Sequence, residues 1–82
     1  MLRILYFALL RDELDCGEEQ MEYQPEWVTI DDLKHTLSER DSRWQKAFNG
    51  TILHSVNHAI AAADQAINDG DEIAFFPPVT GG

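Results

Sequence analysis

An apolar, strand-like run stands near each end of the chain, Leu2 to Phe7 and Asp71 to Phe76, and whatever lies between must cover both. Side chains on a strand alternate between two faces, so Leu2, Ile4 and Tyr6 share one face of the first run and Arg3, Leu5 and Phe7 the other. The charged Arg3 marks the second face as the wetter one, which leaves Leu5 and Phe7 on the exposed side. In the last run Ile73 and Phe75 face inward, Ala74 and Phe76 outward. Phe7 and Phe76 are then outward-facing aromatics on two strands expected to pair, and an exposed aromatic pair is typical of an interface core.

Between these runs, Ala8 to Leu14 holds helix formers and predicts a short helix, closed at Asp15–Gly17. Glu19 to Tyr23 alternates, with Met21 and Tyr23 on one face, and predicts a strand pairing back on the first. Pro25 stops it. Thr29 and Asp32 have the spacing of a capping box, and Asp31 and Asp32 complement the positive end of the helix dipole. Ile30, Leu33 and Leu37 recur at helical spacing, so the main helix is expected over Ile30 to Arg40. A further helical turn is expected over Ser42 to Phe48, anchored by Trp44 and Phe48. Asn49–Gly50 reads as a turn, Ile52 to Val56 as a third strand, Asn57–His58 as a turn, Ala59 to Ala62 as a short strand and Asp69–Gly70 as the clearest turn. This order predicts an α+β roll of the β-grasp type, a mixed sheet packed on one main helix. The helix supplies the crossover that lets the first and last strands pair in parallel at the centre.

The length of 82 residues suits one small domain, expected over residues 1–76 with a flexible tail over 77–82. Lys and Arg number 6 against 15 Asp and Glu, a net charge of −9. That balance argues against nucleic acid, which binds through phosphate neutralisation, and against an anionic membrane surface. A basic protein or a cationic pocket is the natural complement. Seven of the acids fall between Asp12 and Glu26, where there is no base; the simplest reading is a solubilising surface. The single Cys16 makes no internal disulfide, and the carboxylates around it disfavour a thiolate. The apolar run Ile4 to Leu10 is too short to span a bilayer and no small-residue cleavage site follows it, so a cytoplasmic protein is expected.

No Ser-His-Asp set, phosphate loop or CxxC pair is present, and the chain is not expected to be an enzyme by itself. No metal site is expected: His54 and His58, four apart, fall on a strand and a turn where they do not converge. Asp69, Asp71 and Glu72 lack the calcium-loop pattern and read as a turn and strand start. His35 is expected to face solvent. Trp27 and Trp44 are expected in the core or at its rim.

The tail carries the chemistry. Pro77 and Pro78 end the last strand because neither donates a ladder hydrogen bond. Val79 and Thr80 lead to Gly81 and Gly82, which have no Cβ and can thread a channel too narrow for side chains. The terminal carboxylate is open to an acyl-activating enzyme: ATP could adenylate it and a nucleophile could then displace AMP. Taken alone, Gly-Gly reads first as a frayed end, but it follows directly on the strand Ile73-Ala74-Phe75-Phe76 and is expected to project from a rigid platform.

The segment Asp69-Gly70-Asp71-Glu72-Ile73-Ala74-Phe75-Phe76-Pro77-Pro78-Val79-Thr80-Gly81-Gly82 closely resembles the C-terminus of the molybdopterin synthase small-subunit family, among the ubiquitin-like sulfur carriers. The opening strand through Phe7 and Arg11 and the Val56–Asn57 step resemble it too. This resemblance implies that an adenylyltransferase related to ubiquitin-activating enzymes uses ATP on Gly82 and that a sulfur-donor enzyme converts it to a thiocarboxylate. The chain itself holds no bound cofactor in such a scheme. Val79, Thr80 and Gly81 then follow Pro77 and Pro78 into the large synthase subunit, where the terminal sulfur attacks a cyclic pyranopterin precursor to build the dithiolene of the molybdenum cofactor. The resemblance puts the partner contact on Phe7, Phe76 and Ile60, gives Arg11 a contact with the activating enzyme, and implies a heterotetramer with two small subunits. Two alternatives stay open: a Gly-Gly carrier or ubiquitin-like modifier for another pathway, and a non-covalent acidic interaction module using the face from Asp12 to Glu26.

Overall fold

The computed structural model describes residues 1–78. The elements are β1 (Leu2–Tyr6), α1 (Ala8–Leu14), β2 (Glu18–Met21), α2 (Ile30–Ser38), α3 (Ser42–Asn49), β3 (Leu53–Val56), β4 (Ala59–Ala61) and β5 (Glu72–Phe76). The five strands form one sheet in the order β2-β1-β5-β3-β4. β1 and β5 run parallel, with Ile4 opposite Ile73 and Tyr6 opposite Phe75. The other neighbours are antiparallel. The mixed sheet and its central parallel pair are those expected from the two apolar ends.

Leu2, Ile4, Tyr6, Ile73 and Phe75 project from the inner face into one core with Ile30, Leu33 and Leu37 of α2 and Trp44, Ala47 and Phe48 of α3. Burying each large apolar side chain there contributes roughly 1.5–3 kcal/mol. Aromatic rings fix the packing angle: Tyr6 meets Trp44 edge-on at 5.4 Å, and Phe48 meets Phe75 edge-on at 5.3 Å. The segment expected as a helical turn is a two-turn helix, capped where the Asp41 side chain accepts from the Trp44 N–H, so α2 shares the covering of the sheet with α3.

The capping box forms as its spacing predicts. Thr29 accepts from the Asp32 N–H, and Asp32 accepts from the Thr29 and Val28 N–H groups. The helix ends at Ser38, two residues before the expected Arg40. Arg40 leaves the helix to meet Glu19 of β2 with both terminal nitrogens at 2.8 Å, and its guanidinium carbon lies 4.5 Å over the Trp44 ring. The Tyr6 hydroxyl donates to the same Glu19 carboxylate at 2.7 Å. Burial first, then Glu19, raises the Tyr6 phenol well above its ordinary value. This triad ties the edge strand to the core.

Asn57 and His58 both have positive φ, 51° and 73°, which makes the β3–β4 turn a hairpin of the mirror-image kind. The Asn57 side chain bridges to β5, accepting from the Glu72 N–H and donating to Asp71. Trp27 and Trp44 are buried and His35 is exposed, as expected. No helix among the described residues is long and apolar enough to cross a membrane.

Candidate functional site

The register fixes what shares the outer face of the sheet. Leu53 lies opposite Phe76, and Phe7, one step beyond the Tyr6–Phe75 pair, flanks Phe76 on its other side. One row therefore reads Phe7, Phe76, Leu53. The next reads Leu5, Ala74, Ser55, Ile60. Beyond it the face turns polar: Arg3 lies opposite Glu72, donates to it at 3.2 Å and donates to Glu18 at 2.7 Å. The apolar half of the face lies at the end where β5 runs into Pro77.

Phe7 is 46% exposed, Leu53 39% and Ile60 76%. Phe76 is half-buried between its neighbours. Ala74, expected to face outward, is on the outer side but buried, because Leu5 and Ser55 flank it on the central strand and its methyl is shorter than theirs. The structure thus brings Phe7, Phe76 and Ile60 onto one surface. It adds Leu53, which the sequence reading passed over; the alternation of β3 was the available signal, once paired with β5.

Arg11 is exposed on α1, with its guanidinium packed against Gly17, where an added Cβ would lie 3.0 Å from Nε. It forms no ion pair with another described residue. The segment reaches this position through an abrupt turn: Phe7 is extended, and Ala8, which begins α1, has a positive φ of 56°. That backbone is unfavourable for a residue with a Cβ. Pro77 is half-buried and Pro78 exposed. Val79, Thr80, Gly81 and Gly82, expected to carry the tail and its carboxyl, lie outside the described residues.

The acidic segment is not a uniform surface. Glu18 pairs with Arg3, and Glu19 with Arg40 and Tyr6. Cys16 is half-buried beside them and its thiol is pushed up, first by burial and then by Glu19; the sequence reading named charge alone. The two histidines point apart. His54 is buried with Nδ1 2.7 Å from the Ala61 carbonyl, which accepts its proton, while His58 is exposed with Nε2 3.0 Å from Glu72.

Comparisons with known proteins agree with this architecture. The molybdopterin synthase sulfur carrier subunit of Escherichia coli (strain K12) is 36% identical over 83 residues, covering all of both chains. Among solved structures, SAMP1 from Haloferax volcanii superposes with a TM-score of 0.77 at 25% identity, covering 99% of this chain and 98% of the other. A putative molybdopterin converting factor, subunit 1, from Pyrococcus furiosus gives 0.77 at 26%, covering 95% and 97%. The ThiS family model matches residues 4–82, which with a full-length relative above 30% identity makes this chain a member of the ThiS family.

Proposed function

We propose that the chain is the sulfur-carrying subunit of a molybdopterin synthase, working in the cytoplasm. The observation that carries this reading is the join between two features: an apolar outer sheet face, and a β5 strand that runs from that face through Pro77–Pro78 toward Gly81–Gly82. The name of the Escherichia coli relative supports it.

In this reading the Gly82 carboxylate attacks the α-phosphate of ATP on an adenylyltransferase, and pyrophosphate leaves. Sulfide delivered by a sulfur donor attacks the acyl carbon, the bond to AMP breaks, and a thiocarboxylate is left. Its sulfur is ionised at neutral pH, soft and nucleophilic. The large subunit docks on Phe7, Phe76, Leu53 and Ile60 and takes in Val79 to Gly82. There the sulfur replaces an oxygen substituent on a carbon of the pyranopterin precursor, a C–S bond forming as that C–O bond breaks and the oxygen leaves, and hydrolysis of the resulting thioester returns the Gly82 carboxylate and leaves sulfur on the pterin. A dithiolene holds two sulfurs, so two carrier deliveries complete it. Pro77 and Pro78 lower the entropy lost when the tail is ordered.

The acidic-module reading is weakened by the ion pairs that commit Glu18 and Glu19 to the fold itself. The test is intact mass after incubation with ATP, the adenylyltransferase and a sulfur donor. The expected gain is that of one oxygen replaced by sulfur, localised to Gly82. A chain lacking Gly82 should fold normally and support no dithiolene formation; dithiolene formation by that truncated chain would refute the reading.

A further inference from the structure

On the other side of the tail root from the sheet face, α1 and α3 leave a groove of about 570 Å³. Ile52 and Pro77 line it, and Leu9, 67% exposed, stands on its α1 side. Arg43 and Lys46, three apart on α3 and both exposed, line it from the other helix, and Glu13 contributes a single carboxylate. Neither cation forms an ion pair with another described residue. The groove thus gathers two of the chain's six Lys and Arg and only one of its fifteen Asp and Glu. On a chain of net charge −9, this is a local reversal of sign around an apolar floor. The fold does not use it: the cations that brace the sheet are Arg3 and Arg40.

We propose that this groove is a second docking surface, taking an acidic segment with a large apolar side chain from the protein that encloses the tail. The inference rests on the synthase reading above, in which that protein is the large subunit. Two observations commit it to this occupant. Charge complementarity asks for carboxylates opposite Arg43 and Lys46, and an exposed leucine over Ile52 and Pro77 asks for an apolar side chain between them. Continuity does the rest. Pro77 belongs to the groove and its neighbour Phe76 to the sheet face, so a protein that closes around the tail meets both surfaces. The sheet face supplies apolar area and the groove supplies orientation, since charged contacts fix register more than they add affinity.

The test uses the full-length chain and purified large subunit, titrated by calorimetry at low and at physiological salt. Arg43→Glu/Lys46→Glu should weaken binding at least about tenfold at low salt, with the loss shrinking as salt screens the contact. Leu9→Asp should weaken binding at both salts. Lys34→Glu, on α2, half-buried and outside the groove, should bind within about twofold of the parent, as a surface charge remote from an interface does. If the charge reversal lowers the melting temperature, Arg43→Gln/Lys46→Gln replaces it. Parent-like binding by both groove variants, with binding lost in Ile60→Asp, would overturn the groove and leave the synthase reading intact. An equal loss in Lys34→Glu would reduce the effect to overall charge and overturn the groove as well. A parent chain that does not bind the large subunit would overturn both readings.

Discussion

Ile60 offers the cleanest separation of docking from folding. It sits on the edge strand β4 opposite Ser55, and 76% of it is exposed. Ile60→Ala removes three carbon atoms, each worth about 0.8 kcal/mol when taken fully out of water. If docking buries the exposed three-quarters, the large subunit should lose about 1.8 kcal/mol of binding, roughly twentyfold in Kd. The share already buried in the free chain is about a quarter, so folding should lose only about 0.6 kcal/mol, or roughly 2–5 °C in Tm. Ile73→Ala is the contrast: its side chain is fully buried between β1 and β3, and truncation should cost about 2–5 kcal/mol of stability. Calorimetric titration against the large subunit reads the first quantity and thermal melting the second. A Kd for Ile60→Ala within about twofold of the parent would remove Ile60 from the docking face. A fall in Tm approaching that of Ile73→Ala would show that Ile60 serves the fold, and the division between the two faces of the sheet would be wrong.

Other consequences can be read from thermal melts. Tyr6→Phe leaves the ring packing and deletes the hydroxyl that donates to Glu19, so stability should fall by about 1.5–3 kcal/mol, as for a hydrogen bond to a charged group; an unchanged Tm would mean the bond adds nothing. Glu19 is held below its ordinary 4.5: burial pushes it up, but the hydrogen bonds from Arg40 and Tyr6 and the guanidinium charge outweigh that. A carboxylate with a lowered folded value adds stability above its unfolded value and loses it as pH falls through the folded one. Glu19→Gln should therefore melt lower than the parent at neutral pH and show a flatter Tm profile on acidification below 4.5, and parallel profiles would contradict the shift. His58→Gly relieves a positive φ at the second turn position and loses one exposed contact to Glu72, so Tm should rise by about 2–4 °C; a fall would show that the His58–Glu72 contact outweighs the strain.

How much of this was legible in the sequence depended on distance along the chain. The capping box at Thr29 and Asp32 is a local pattern and was read to the residue. The central pairing of β1 with β5 was legible despite its long separation, because both runs show one apolar face and a helix lies between them. Leu53 was not, since its membership of the outer face depends on the β3–β5 register and not on β3 alone. The Tyr6–Glu19–Arg40 triad was hidden for the same reason: it joins three elements, and a run of acids reads as solvated surface until a base is brought over it. Ala74 shows the converse error. Alternation gave its direction correctly, but exposure also depends on the height of the neighbours, and on a central strand they overtop a methyl group.

The position of β5 bears on how the proposed carrier function would hold its tail. β5 is the middle strand of five, bonded to β1 on one side and β3 on the other, with Ile73 and Phe75 fully buried. Local opening free energy rises with buried contacts and paired backbone, so this strand belongs with the most stable part of the molecule. A tail leaving an edge strand would transmit each docking event into the part of the sheet that frays first. Pro77 and Pro78 follow β5 directly, so the proposed tail is rooted where opening approaches global unfolding. The apolar row of Phe7, Phe76 and Leu53 and the groove of Leu9, Arg43 and Lys46 lie on either side of that anchor, and both are built from side chains the core does not need. Substitutions at the exposed groove positions Leu9, Arg43 and Lys46 should therefore alter the proposed docking with little effect on Tm, whereas those at Phe7, Phe76 and Leu53, each partly buried, should lower both.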